Sequence, residues 1–160
     1  MAIKAGDRMP AGKFKRMGAN GPEDITTAQL FDGKRVALFS VPGAFTPTCS
    51  AKHLPGYVDH AAELRAKGVD TIACMAVNDV YVMGAWGQSA GVGDNVLMLA
   101  DGSGEYTRAL GLELDLQGAG LGMRGQRFAI LVDNGVATKV LIEAPGEFKV
   151  SSADYLLGQL

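Results

Sequence analysis

The apolar positions of this chain alternate between two periodicities, one suited to buried strands and one to helices. Arg35-Val-Ala-Leu-Phe-Ser-Val41 is a β-branched and apolar run of strand length, and Pro42-Gly43 stops it. From Ala51 to Gly68 the apolar residues Leu54, Tyr57, Val58, Ala61, Ala62 and Leu64 recur at helical spacing, with Gly68 as the stop signal. Val69-Asp-Thr-Ile-Ala-Cys-Met-Ala-Val77 is apolar on both faces from Ile72 onward, which suits a strand in the middle of a covered sheet. Strand, helix and strand make a βαβ unit. A second one follows, with a helix capped by Asn78-Asp79 and running to about Ser89, a strand from Asn95 to Ala100, and a helix from Gly104 to Gly111.

Beyond these, Gln126 to Val132 and Val136 to Ile142 read as strands flanking Asp133-Asn134-Gly135. That turn is a hairpin signal, because Asn-Gly tolerates the positive φ angles of a type I′ turn. Ser151 to Leu160 closes the chain as a short amphipathic helix. At the other end, Pro10, Pro22 and several glycines predict an arm over Met1 to Asp24 with one short strand at Gly12 to Met17, and Thr26 to Phe31 can form one helical turn before Asp32-Gly33. The expected architecture is α/β, a mixed central sheet with helices on both faces.

Composition narrows the picture without redirecting it. A chain of 160 residues, 48% hydrophobic and 20% charged, is long enough for one well-buried core, so a single domain over residues 1–160 is expected. A net charge of -2 with no basic run gives no electrostatic footprint for nucleic acid. Met1-Ala-Ile-Lys-Ala-Gly-Asp-Arg8 lacks the apolar core of a signal peptide, and no stretch approaches the ~20 apolar residues that span a bilayer, so no membrane association and a cytoplasmic location are expected. Two cysteines make no disulfide framework, and two histidines, His53 and His60, form no zinc-spaced cluster, so no metal is implied.

The candidate chemistry sits in Val41-Pro-Gly-Ala-Phe-Thr-Pro-Thr-Cys-Ser50. Thr46 and Thr48 are both plausible N-caps and Pro47 suits a first turn, so Cys49 opens the helix that follows. Unpaired N–H groups and the positive end of the helix dipole then point at the sulfur and favour the nucleophilic thiolate. The alternative is a small hydrophobe filling space at a helix end. The flanking proline, glycine and threonine residues, which build a tight strand-to-helix turn, favour the reactive thiol.

Pro42, Thr46 and Cys49 stand in the P-x-x-x-T-x-x-C arrangement of the peroxiredoxins, and the run from Val41 to Gly56 resembles their type II, or peroxiredoxin-5-like, subfamily. The resemblance extends to Lys67–Asp79, Ala85-Trp86-Gly87, Leu99-Ala100-Asp101 and Arg127-Phe128. It implies a thioredoxin-like fold and a homodimer. It also implies a thiol peroxidase that reduces hydrogen peroxide and small alkyl hydroperoxides with no bound cofactor, Cys49 cycling through a sulfenic acid. Arg127 matches the family's active-site arginine, which would stabilise the thiolate and the charge developing on the peroxide oxygens. By the same match Thr46 would hydrogen-bond the peroxide and Pro42 would shield the site from bulk water.

Other residues keep two readings. His53, four positions after Cys49 on one helix face, is either a packing residue that helps shape the entrance or a proton donor. Phe45, Trp86, Leu114, Leu116 and Phe128 are either ordinary core or an apolar collar that binds alkyl hydroperoxides. Arg124 is a surface residue or a second cation of the site. Gly120-Leu-Gly-Met-Arg-Gly125 fits G-x-G-x-x-G, but that fingerprint holds a nucleotide only where it follows a strand and opens a helix, and this one precedes a strand, so a flexible loop is expected.

Recycling turns on Cys74, read either as a buried inert thiol in an apolar strand or as a resolving cysteine. Members of the family with an internal disulfide of the mammalian kind carry a further cysteine near the C-terminus, and Gly146 to Leu160 has none. The two-cysteine pattern therefore resembles members served by glutathione and glutaredoxin, with thioredoxin as the other reductant. Two rivals share the chemistry. A disulfide reductase would need C-x-x-C where the chain has Thr46-Pro-Thr-Cys49, and a non-enzymatic peroxide sensor or relay would use the same first step.

Overall fold

The computed structural model describes residues 1–160. In chain order its elements are β1 (Lys13–Gly18), β2 (Gly21–Thr26), α1 (Thr27–Phe31), β3 (Arg35–Ser40), a π turn (Cys49–His53), α2 (Leu54–Asp59), α3 (Ala61–Ala66), β4 (Thr71–Ala76), α4 (Val80–Ser89) and β5 (Leu97–Ala100). There follow α5 (Glu105–Leu110), β6 (Glu113–Leu116), β7 (Gly122–Gly125), β8 (Phe128–Asp133), β9 (Val136–Ile142) and α6 (Ala153–Gly158). Seven strands form one sheet in the order β2-β1-β5-β4-β3-β8-β9, while β6 and β7 pair separately. The β3–β4 and β4–β5 pairs are parallel, and β8 returns antiparallel to β3. This is the thioredoxin-like mixed sheet.

Because successive side chains of a strand point to opposite faces, each central strand feeds two core layers. One layer takes Ala37 and Phe39 of β3, Cys74 of β4 and Ala129 and Leu131 of β8, together with Cys49, Leu54, Tyr57, Trp86 and Leu156. The other takes Val36, Leu38, Met75, Phe128, Ile130 and Val132 with Phe14, Phe31, Tyr106 and Leu110. Both cysteines thus lie on one side of the sheet. No helix is long and apolar enough to cross a membrane.

Three segments differ from the sequence reading. The N-terminal arm holds a full antiparallel hairpin, β1 on β2, where a single strand was expected. Pro22 misleads there, since β2 is the sheet's outermost strand and an edge position does not need its missing N–H. The helix expected from Ala51 to Gly68 is broken at His60 (φ -99°, ψ 11°), whose two ring nitrogens reach Glu63 at 2.8 Å and Asp154 of α6 at 2.9 Å. The glycine-rich stretch expected to be a flexible loop is instead the β6–β7 hairpin, with Leu114 opposite Arg124 and Leu116 opposite Gly122. The β8–β9 turn has Asn134 and Gly135 at φ 47° and 82°, the conformation that Asn-Gly favours.

Candidate active site

The turn that follows β3 is built by its own polar groups. Val41 N–H donates to Met75 O at 3.2 Å, which extends the strand register by one residue. Ala44 N–H donates to Asn78 Oδ1 at 2.9 Å, and the Thr46 hydroxyl donates to Gly43 O at 2.7 Å. Phe45 carries a positive φ of 62°, a conformation costly for an aromatic residue and held here by the bonds on either side. The helix then starts at Pro47, and Ser50 N–H donates to Thr46 O at 2.9 Å. Neither threonine caps it by a side-chain bond: the Thr46 hydroxyl is spent on Gly43, and Thr48 makes none. Cys49 therefore lies inside the first turn, and from Cys49 to His53 the helix widens so that Leu54 N–H reaches back to Cys49 O.

Cys49 is 0% exposed. Arg127, just before β8, reaches over it and donates from Nη2 to the sulfur at 3.0 Å, while its Nη1 lies 2.8 Å from His53 Nδ1. His53 Nε2 sits 3.0 Å from Ser151 O. A carbonyl only accepts, so Nε2 carries the proton and Nδ1 offers its lone pair to the guanidinium. Burial, and then the Arg127 charge, push the His53 pKa from 6.5 down to about 3, which keeps the ring neutral. Tyr57 OH donates to the same Ser151 carbonyl at 2.8 Å and stacks on Phe39 at 4.0 Å, while the Phe148 ring lies 5.7 Å from the Arg127 guanidinium carbon. The result is a fixed cation on a buried sulfur.

A cavity of about 270 Å³ opens beside this pair, lined by Pro42, Thr48, Leu114, Gln126, Arg127 and the loop from Glu143 to Phe148. Arg124 does not stand free on the surface. Its Nε donates to Leu121 O at 2.7 Å and its Nη1 to Pro42 O at 3.4 Å, so it ties the β6–β7 hairpin to the turn that carries the cysteine. On the opposite side, Trp86 Nε1–H donates to Ser50 Oγ at 3.0 Å and fixes α4 against the residue after Cys49.

The structure brings Pro42, Thr46, Cys49 and Arg127 into one turn and one strand end, and it separates the others. His53 is fully buried behind Arg127 and shapes no entrance; with its pKa near 3 it is also no proton donor near neutral pH. Phe128 is not a collar residue: it follows Arg127 by one position and so points into the opposite core layer. Trp86 is core, its ring 6.4 Å from that of Phe45, and Phe45 is 54% exposed beside the turn. Of the expected collar only Leu114 lines the cavity. Cys74 is buried and free like Cys49, in the same layer, and burial pushes its thiol well up, with the nearby Cys49 adding to the rise. Sequence reading missed Tyr57, Glu143, Phe148 and Ser151. Ser151 acts here through a main-chain carbonyl, which leaves no mark on residue identity.

The redoxin family model matches residues 4–157. Peroxiredoxin-2B of Arabidopsis thaliana is 50% identical over 161 residues, covering 99% of this chain and 98% of that protein. The hybrid peroxiredoxin hyPrx5 of Haemophilus influenzae is 42% identical over 100% of this chain and 67% of its own length. Among solved structures, reduced Prx3 from Vibrio vulnificus in complex with hydrogen peroxide superposes with a TM-score of 0.94 at 48% identity, covering 98% of each chain. Fold, family match and relatives agree, and the chain belongs to the redoxin family as a peroxiredoxin, an enzyme of thiol-dependent peroxide reduction.

Proposed function

We propose that the chain reduces hydrogen peroxide and small organic hydroperoxides at Cys49 and is recycled by an external thiol, with glutathione and glutaredoxin favoured and thioredoxin as the other candidate. The observation that carries the reading is the Arg127 Nη2 contact of 3.0 Å with the Cys49 sulfur, its other terminal nitrogen held by a neutral His53. A charge-assisted donor on sulfur stabilises negative charge there, and the same guanidinium can follow that charge onto the peroxide oxygens. The Thr46 hydroxyl, whose proton is committed to Gly43 O, is left with lone pairs and so can only accept from a peroxide O–H. The relative crystallised with hydrogen peroxide supports the choice of substrate.

The Cys49 thiolate attacks the hydroxyl oxygen of the hydroperoxide, the O–O bond breaks, and the other oxygen leaves as an alkoxide or hydroxide that takes a proton from solvent. Cys49 becomes a sulfenic acid. One glutathione condenses with it, releasing water and forming a mixed disulfide, and a second thiol restores Cys49 and leaves as a disulfide. External resolution is supported by the burial of Cys74 and the lack of any third cysteine. A reducing, cytoplasmic setting would supply that thiol. We further propose a homodimer, for which exposed Phe45 beside the site offers an apolar contact.

Turnover of peroxide with glutathione and glutaredoxin, against Cys49→Ser, tests the reading. Many turnovers lost in the variant, and one glutathione mass on Cys49 after peroxide, are expected. A stall after one equivalent would make the chain a sensor instead. Light scattering at high concentration tests the dimer, and a strictly monomeric mass would refute it.

A further inference from the structure

Glu143 is buried, and its carboxylate is the most heavily bonded side chain of the region. It accepts from Lys149 N–H at 2.9 and 2.8 Å, from Val150 N–H at 2.8 Å, from Ser151 N–H at 2.8 Å and from the Ser151 hydroxyl at 2.7 Å. Burial alone pushes a carboxylate pKa up, but the Ser151 hydroxyl and the three amides outweigh it and hold Glu143 below its usual range, so it stays ionised at neutral pH. Its backbone N–H meanwhile donates to Arg127 O at 3.0 Å. One residue thus grips both the main chain of Arg127 and the segment 149–151.

That segment presents the Ser151 carbonyl, which accepts from both His53 Nε2–H and Tyr57 O–H. His53 has two neutral tautomers, and only the Nε2–H form leaves a lone pair at Nδ1 to receive the Arg127 Nη1 donor. We propose that Glu143 and Ser151 are positioning residues for the peroxide reaction. The carboxylate fixes the Ser151 carbonyl, the carbonyl selects the His53 tautomer, and His53 aims the Arg127 guanidinium at Cys49. Phe148, in the same loop, packs on both His53 and Arg127 at 5.0 and 5.7 Å and keeps water from competing for either. All four Glu143 donors come from protein, so its part is to orient Arg127 through others.

The inference rests on the peroxide reading of Cys49 for its rate effect, but the tautomer can be read without any peroxide. In ¹⁵N spectra of the imidazole, wild-type His53 is expected as the Nε2–H tautomer. Glu143→Gln turns an amide donor toward the backbone N–H groups, and it should mix the tautomers and slow Cys49 oxidation in stopped-flow about tenfold to a hundredfold. In a double-mutant cycle with His53→Leu the combined variant should be no slower than His53→Leu alone. A merely structural loss would be additive. If Glu143→Gln does not fold, Ser151→Ala removes one donor of the carboxylate, keeps every backbone group and faces the same outcomes.

An Nδ1–H tautomer in wild type, a wild-type oxidation rate in Glu143→Gln, or additive losses would each overturn the proposal. A wild-type protein that does not react with peroxide, yet shows the tautomer shift, would overturn the peroxide reading and leave the positioning chain standing.

Discussion

His53 gives the fold a pH dependence of its own. In the unfolded chain its imidazole takes up a proton near pH 6.5, whereas in the folded protein burial and Arg127 delay protonation to about pH 3. The unfolded state therefore binds more protons between these values, and stability falls as pH drops through that window. Each pH unit well inside it costs about 1.4 kcal/mol. From pH 7 to pH 5, where the first part of the interval lies above the unfolded pKa, the loss is about 2 kcal/mol. For a chain of this length that is a fall in melting temperature of roughly 4–8 °C.

His60 works in the opposite sense: its bond to Glu63, opposed in part by burial, raises its pKa, so it favours folding as pH falls. A model-peptide carboxylate titrates at about pH 4, below the chosen interval. Both contributions cancel when wild type is compared with His53→Leu, which keeps bulk at the site and cannot titrate. Thermal or urea unfolding of the reduced proteins at pH 7 and pH 5 should show wild type losing about 2 kcal/mol more than the variant. Parallel losses in the two proteins would refute a neutral, buried His53.

Arg127→Lys and Arg127→Ala should each slow sulfur oxidation roughly tenfold to a thousandfold with the fold intact, since even a lysine lacks the planar fork whose two terminal nitrogens serve Cys49 and His53 separately; a wild-type stopped-flow rate would remove Arg127 from the chemistry. Cys74→Ser should keep most of the turnover supported by glutathione and glutaredoxin while losing about 1–3 kcal/mol of stability for a buried hydroxyl. A quantitative Cys49–Cys74 disulfide in the oxidised wild type, with a variant that stops cycling, would contradict this. Gly111 has a φ of 72°, and a Cβ there would lie 2.6 Å from Met1 O, so Gly111→Ala should destabilise by about 1–3 kcal/mol. An unchanged urea midpoint would show that the N-terminus is not packed there.

The βαβ core was legible because its strands are buried on both faces and its turns carry glycine, proline or Asn-Gly. Val80–Ser89 begins where Asp79 promised, its carboxylate accepting from Val82 N–H at 2.8 Å. The β6–β7 hairpin was not legible, because Gly122 and Gly125 give a strand no apolar alternation to read. At the site, Cys49 and its turn announce themselves through the residue types that a helix start requires. The identity of Arg127 is visible, but its aim is not, since that is set by His53 and a carbonyl far along the chain. Phe128 misled for a simple reason: its neighbour in sequence lies across the sheet.

The widened turn from Cys49 to His53 acts as a gauge of chain length. A turn closed by a bond five residues back contains one residue more than an α turn, and each helical residue carries its neighbours about 100° around the axis. Deleting one residue there would let the turn close as an ordinary α turn with the flanking chain in place, because the wide turn is what takes up the extra residue. What would change is the offset between Cys49 and His53, the two groups that Arg127 bridges. The number of residues between Cys49 and His53 is thereby tied to the reach of a single guanidinium.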